Sequence, residues 1–492
     1  VRIGFGPWEP DSAGVETGTL LVAKNVYPAK VGYIPISSLS AITSTPLPDR
    51  CVGAISVRTS AGGFLIFAGT TSKLYKYQAG TWIDYTRVSG GNYSVPVDEF
   101  WSFAIFGSKL IAVNINDDAQ VIDVDTGATA FAALAGTPPK ARYATVVGSF
   151  VVLGCLSSDN RAVRNSAIED ETGWTVGTSL CDEQTFPDGG RVTGIAGGEF
   201  GYVAQERVLR RMIFQPGNDI AFRFERIESE RGCAAGYGLI ATGGVAYFPS
   251  NDGFYAYGPN GLVPIGAQRV NKWFRSNSDT TRFFSVLAFA DPYAPRICWA
   301  FYNSGGSTYF DRVIIYDWNL DRWSYMEVTA QYWASITTAG VTLEELDVYG
   351  DIDGGGIPYP FDSRAWEGGA PVIGAFDSGG LLSFLEGSLP QTAVLSHAPN
   401  HLAPGFRATV QSVYPLGVFN GATISVRVGK RENTSNSPSY TAAASPSSLS
   451  GIIRFKAGAR VHDFETTISQ SSGTSWTLAQ GIDVEARQSG RK

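Results

Sequence analysis

The chain holds 492 residues with 38 Lys and Arg against 45 Asp and Glu, a formal net charge of −7. Charged residues are 17 % of it, against about 25 % in an ordinary soluble domain, and glycine reaches 57 residues. So apolar and weakly charged a chain is not intrinsically disordered, and its mild acidity does not advertise a basic nucleic-acid footprint.

The amino end, Val1-Arg2-Ile3-Gly4-Phe5, runs straight into Pro7 and Glu9 and does not read as a signal peptide. Residues 1–50 carry Pro7, Pro10, Pro28, Pro35, Pro46 and Pro48 and few long strands; this segment is expected to pack on a β platform. From residue 51 strand signals dominate, as short runs of Val, Ile, Phe, Tyr and Thr between glycine, Asn-Asp or Asp-Gly turns. One unit recurs: a strand, a tight polar turn, then an aromatic or apolar strand. It appears at Leu74, at Val121, near Ala167, at Val208, at Phe254 and at Val313. Steps of roughly 45 residues, the last one longer, match the ~40–50 residues of one four-stranded propeller blade. Six copies predict six blades, and seven if the hairpin at 372–385 belongs to the same series. The expected fold is therefore all-β: a β-propeller over 51–342 with an additional small β platform domain.

No apolar run is long enough to span a bilayer, since the best, 143–156, is interrupted by Gly148-Ser149. Cys51, Cys155, Cys181, Cys233 and Cys298 stand singly with no CxxC pair. Neither a zinc knuckle nor a disulfide framework is signalled, and buried reduced thiols are expected.

Candidate chemistry is sparse. Glu169-Asp170-Glu171 and Asp182-Glu183 are carboxylate groups of the type glycosidases use, but neighbours in sequence do not make a pair across a cleft. Trp174, Trp273, Trp318, Trp323 and Trp366 lie near turns, placed either to stack on sugars or to plug gaps between blades. Arg207, Arg210, Arg211, Arg223, Arg226 and Arg231 alternate with Glu206, Glu225, Glu228 and Glu230. Alternating signs on neighbouring strands fit cross-strand ion pairs or a subunit interface better than a DNA-binding stripe.

Residues 343–390 form a Gly-, Pro- and Asp-rich connection with the last hairpin. Within it Asp351 and Asp353, before three glycines, resemble the start of a calcium loop without its distal glutamate; an acidic loop without an ion is the simpler reading. After about residue 390 the repeat stops, and strands near 408–414, 423–428, 452–455 and 464–468 predict a small β domain over 391–492. A Ser-rich stretch, 432–450, reads as a mobile loop or partner-dependent arm. His397 and His401 have an HxxxH spacing, but Pro399 between them opposes the helix that zinc binding at that spacing needs. His462 stands alone. There is no GxSxG or P-loop string. No cofactor and no catalytic residue is expected.

Several strings together carry a resemblance. They are Pro7-Trp8-Glu9-Pro10-Asp11 with Ala23-Lys24-Asn25-Val26-Tyr27-Pro28 and Gly32-Tyr33, then 245–255 with Pro264-Ile265-Gly266, 361–364 with Ala375-Phe376, and finally 476–484 with Arg487 and Gly490-Arg491. In these the chain resembles bacteriophage tail nozzle proteins, the tail tubular or packaged-DNA stabilisation type of short-tailed phages. That likeness implies a virion structural protein, assembled in the host cytoplasm as a homo-hexameric ring below the portal and adaptor, with tail fibre or spike proteins as further partners. It implies a channel that retains packaged DNA and then releases it. A weakly acidic chain suits DNA that must pass without sticking, since affinity comes from phosphate neutralisation by Lys and Arg. The rival expectation, from the tryptophans and acidic pairs, is a carbohydrate-binding or glycoside-cleaving propeller that recognises a host surface.

Overall fold

The structure, a computed structural model, describes residues 1–12, 18–78, 80–338 and 369–490. Seven antiparallel four-strand units follow one another around a ring. Their innermost strands are Cys51–Arg58, Ser102–Phe106, Ala141–Val147, Val192–Ala196, Ile240–Thr242, Leu287–Ala290 and Ala330–Thr337, taken here as opening blades 1 to 7. Adjacent inner strands touch through small polar links. Ser102 Oγ accepts from Ala144 N at 3.0 Å between blades 2 and 3, and Cys51 N donates to Gln331 Oε1 at 2.8 Å where blade 1 meets blade 7. The protein is a β-propeller with seven blades, the larger of the two expected counts.

The recurring sequence unit is the third strand of each blade with its turn. Those strands are Leu74–Gln78, Gln120–Asp123, Ala162–Asn165, Leu209–Phe214, Gly253–Gly258, Arg312–Asp317 and Leu382–Phe384. Blades hold together because apolar faces on both sides of each sheet press on their neighbours. Glycine sets the closest approach: Trp101 lies so near Gly53 and Gly69 that a Cβ there would come within 2.7 and 2.3 Å of it. Farther round, Phe254 of blade 5 packs on Trp299 at 4.8 Å and Trp323 at 5.2 Å, and Phe289 stacks on Trp333 at 5.4 Å.

Three domain boundaries change. The hairpin of Pro371–Asp377 and Leu382–Phe384 pairs with Ala330–Thr337 inside blade 7, so the propeller does not stop at 342 and the hairpin is no part of a connection. The outermost strand of that blade is Ser40–Ala41, from the proline-rich segment. The first fifty residues are thus a thread through three sheets rather than a pad on one. Lastly, blade 6 does not end at its fourth strand, Arg322–Met326. Leu20–Lys24 joins it in parallel at Lys24 and Tyr325, and the sheet continues through Ala393–His397, Val461–Ser469, Thr423–Arg431 and Ser439–Tyr440, nine strands in all.

The platform is a sandwich of this extension and a second sheet. The second sheet comprises Val26–Pro28, Tyr33–Pro35, Leu478–Gln488, Ala408–Val418 and Ile453–Ala459, with Arg2–Gly4 added on Leu478–Gln488. Alternate side chains point inward, and Val410, Val413, Ile482 and Val484 of one sheet belong to the same buried core as Leu395, Val426, Val428 and Phe464 of the other. The Ser-rich stretch is no free arm. Ser439–Tyr440 pairs with Gly429 and Lys430, and Ala444 exchanges both backbone hydrogen bonds with Val426.

One short helix, Asn271–Asn277, and a 3-10 turn, Thr280–Ser285, bridge blades 5 and 6. The residue before the helix is Val270, whose side chain cannot cap it. The cap comes from the amino-terminal thread, where Asp11 accepts from Lys272 N at 2.5 Å and Trp273 N at 2.8 Å.

Candidate functional site

A propeller offers two places for chemistry, its axis and its rim. The axis encloses about 240 Å³ lined by Ala54, Ile55, Phe103, Ile195, Leu287 and Tyr332 among others. Tyr237 fills its end: the ring lies 4.9 Å from Phe100 and 5.6 Å from Tyr143, and the hydroxyl donates to Phe100 O at 3.4 Å. Burial pushes the Tyr237 and Tyr143 phenols well above the ordinary tyrosine range. Phe284, from the 3-10 turn, lies across Tyr237 at 6.0 Å and under the guanidiniums of Arg142 and Arg191 at 5.4 and 4.5 Å. Arg142 is locked to Glu99 by two bonds of 2.9 and 2.8 Å, and Arg282 pairs with Asp98 and donates to Ser307 O at 2.8 Å. These groups precede or begin inner strands, so they close one mouth of the axis. The chamber behind them is smaller than the ~300–1,000 Å³ usual for ligand pockets.

The rim of blade 4 differs. Its outer hairpin, Leu209–Phe214 and Phe222–Glu228, places Arg211 directly opposite Glu225, and they bond at 2.9 Å; Glu225 also pairs with Arg223. On the other side Asp188, in the turn before blade 4, takes Arg210 on one oxygen and Arg226 on the other. Arg210 is 7 % exposed, lies 4.6 Å over Phe186 and donates to Gln205 Oε1 at 3.1 Å; burial lowers its pKa. Arg231 reaches blade 5, bonding Asp252 at 2.8 Å, and Arg207 is exposed. Of the six arginines named from sequence, the structure brings Arg210, Arg223 and Arg226 to one groove of about 750 Å³, with Phe186, Asp188 and Phe224 in its walls. Asp188 was hidden from sequence reasoning. Pro187 and two following glycines mark it as a turn residue, and only the fold faces it to Arg210 and Arg226.

The other candidates disperse. His397 is buried in the platform, stacked on Phe5 at 5.0 Å, with Nε2 3.2 Å from Gly4 O. His401 is exposed beyond the strand, so the two do not form a ligand pair. Burial holds the His397 pKa down at about 4 and lowers that of His462, which is buried beside Phe464. Asp351, Asp353 and Trp366 lie outside the described residues. Glu183 is bonded to Arg164 at 2.7 Å, while Glu169 is exposed in a loop where Asp170 caps Thr172. Trp174 and Trp323 are buried, and Trp273 sits against Trp8 and Tyr325 at 4.8 and 4.7 Å. These three pack against other side chains, and Trp318, half-buried, lies 5.9 Å from Tyr247. All five cysteines are buried and unpaired, and burial lifts the Cys233 thiol to about 12.

No family model matches the chain, and no curated protein matches it. Among solved structures the chain is similar to "YCF48 bound to D1 peptide", at 12 % identity and a TM-score of 0.35, over 70 % of this chain and 97 % of that one.

Proposed function

We propose that this chain is a virion structural protein of a phage tail, a nozzle or head-completion subunit that forms a homo-hexameric ring with its neighbours. Its action is mechanical rather than enzymatic: it docks beneath an adaptor and portal, carries fibre or spike proteins, holds packaged DNA back and then lets it out. The observation that carries this reading is where the family-like strings fall. Three of them, Trp8, Gly32-Tyr33 and 476–484, meet at the joint between propeller and platform, although the first two precede the last by more than four hundred residues. Tyr33 donates to Gly6 O at 2.9 Å, Phe5 N to Gln480 O at 2.8 Å, and Trp8 Nε1 to Leu21 O at 3.0 Å. Gly32, at φ +75°, touches the Ala479 carbonyl so closely that a Cβ would lie 2.0 Å from it.

A stiff joint suits a subunit that passes load between a docking platform and a rim. Since side chains close one mouth of the propeller axis, the DNA path in this reading is the lumen enclosed by several copies. The paired arginines of blade 4 then belong to a contact between proteins, consistent with their balanced charge. Native mass spectrometry and negative-stain imaging of the purified chain, alone and with portal–adaptor complexes, test the proposal. Six-fold rings that join the complex are expected; a persistent monomer that ignores the complex overturns it.

A further inference from the structure

Histidine is confined to one part of the molecule. The chain has 3, His397, His401 and His462, and the propeller between Cys51 and Leu385 holds none. His397 and His462 are buried in the platform, on neighbouring strands of its first sheet, Ala393–His397 and Val461–Ser469. Side chains alternate along a strand, so both imidazoles share the space between the two sheets with Leu395 and Phe464.

Each histidine spans that space. His397 Nε2 donates to Gly4 O at 3.2 Å and His462 Nε2 to Ala457 O at 3.1 Å, and both carbonyls belong to the second sheet. A carbonyl only accepts, so each imidazole carries its proton on Nε2 and leaves Nδ1 bare. Both Nδ1 atoms are buried without a partner. Phe5 stacks on His397 at 5.0 Å, and Phe464 on His462 at 6.5 Å.

The charged groups of the surrounding strands are committed elsewhere. Asp463 pairs with Arg431 and Glu465 with Arg427. Lys24 holds Glu327 at 2.9 Å, Asp483 lies 3.5 Å from the terminal amine, Ser412 donates to Glu485, and Glu432 takes Arg407 at 2.7 Å. Arg2, Arg454, Lys456 and Arg487 are exposed, and Lys430, opposite His462 in register, is itself a cation. Asp463 and Glu432 favour a charge on His462, yet burial outweighs them. On His397 only the carbonyls of Gly4 and Phe464 do so, against its burial. A second proton on either imidazole therefore puts a costly charge inside the sandwich.

We propose that the platform is an acid-released clamp on the amino-terminal strand: protons added to His397 and His462 part the sheets at Gly4 and Ala457, and Arg2–Gly4 leaves Leu478–Gln488 while the propeller stays closed. Arg2–Gly4 goes first because it has only 3 residues and pairs with a single strand. The clamp is tight above pH 6.5 and loosens as pH falls toward 4, since burial favours the neutral imidazole in the closed form. This inference stands whether or not the chain assembles with copies of itself.

Hydrogen exchange of the full chain at pH 7 and pH 5, corrected for the intrinsic effect of pH, tests it. The amides of Phe5 and Val484 hold the strand through Gln480 O and Val1 O. Their protection should fall roughly twentyfold at pH 5, the change for a group at about 4 that returns to 6.5 on opening, and should recover at pH 7. Propeller strands Phe64–Thr70 and Phe150–Leu156 should change less than about threefold. His397→Gln should hold the loss at Phe5 and Val484 below about threefold, and His462→Gln should reduce it only in part. If H397Q does not fold, the His397 Cε1–H resonance of the unaltered chain maintains the test, titrating below pH 5 in parallel with the loss. Equal loss in the propeller strands, full pH dependence in H397Q, or a His397 resonance that titrates near 6.5 with the strand still protected overturns the proposal.

Discussion

Blades 4 and 6 are built from the same four-strand repeat, and they treat their outer edges in opposite ways. In blade 6 the edge of Arg322–Met326 is covered by Leu20–Lys24, and five strands later the sheet ends in the platform. Arg322 reaches across this seam and donates to four carbonyls, those of Phe5, Gly6, Ala29 and Gly32. In blade 4 no described strand covers the edge, and its arginines pair with Asp188 and Glu225. A covered edge converts its hydrogen bonds and apolar contacts into stability. A bare edge keeps its main-chain groups available, and surface ion pairs there contribute little, about 0–1 kcal/mol each. The same motif therefore carries a second sheet at one point of the ring and ends at its own fourth strand at another.

That contrast can be broken most severely at the seam. Trp8 is fully buried against Trp273 and Tyr325, and Trp8→Ala should destabilise the protein by about 3–5 kcal/mol, read from the urea midpoint. Acid should attack the same side. The neutral form of His397 is favoured in the fold, with its pKa near 4 against 6.5 when free. Its contribution is complete above pH 6.5 and is lost as pH falls toward 4, about 3 kcal/mol in all; His462 acts in the same direction. Urea melts from pH 7 to pH 4 should show this slope, and His397→Gln should flatten it. Arg322→Met leaves its carbonyls short of donors and should cost about 2 kcal/mol. Arg226→Gln, on the bare rim, should change stability by less than about 1 kcal/mol. A rim variant as damaging as Trp8→Ala would erase the distinction between the two edges.

Much of the ring was legible because hairpin turns are local. Asp84, Asp123, Asp159, Asp317 and Asp377 each accept from a backbone N–H two residues on, at 2.8 to 3.1 Å, and such side-chain turns leave a mark in sequence. They also change what the acidity means. A good part of the excess Asp shapes turns, so net charge is a weak guide to a channel surface. What sequence could not display was made by distant partners. Ser40–Ala41 is too short for any periodicity and is a strand only because Ser383 and Phe384 await it. The helix at Asn271–Asn277 has its cap at Asp11, some 260 positions away. The two acid–arginine sets of blade 4 were half visible: Arg211 and Glu225 by strand alternation, Asp188 not at all.

The thread through three sheets also dictates an order of events. Arg2–Gly4 must wait for Gly481, Ile482 and Asp483, Leu20–Lys24 for Ala393–His397, and Ser40–Ala41 for Leu382–Phe384. A ribosome makes these strands well before their partners, so they emerge with nothing to pair. Contacts that far apart in sequence form slowly, and unpaired strands are aggregation-prone meanwhile. The prolines that punctuate this segment cannot donate to a strand ladder. They lower its risk of pairing wrongly before the ring and the platform close around it.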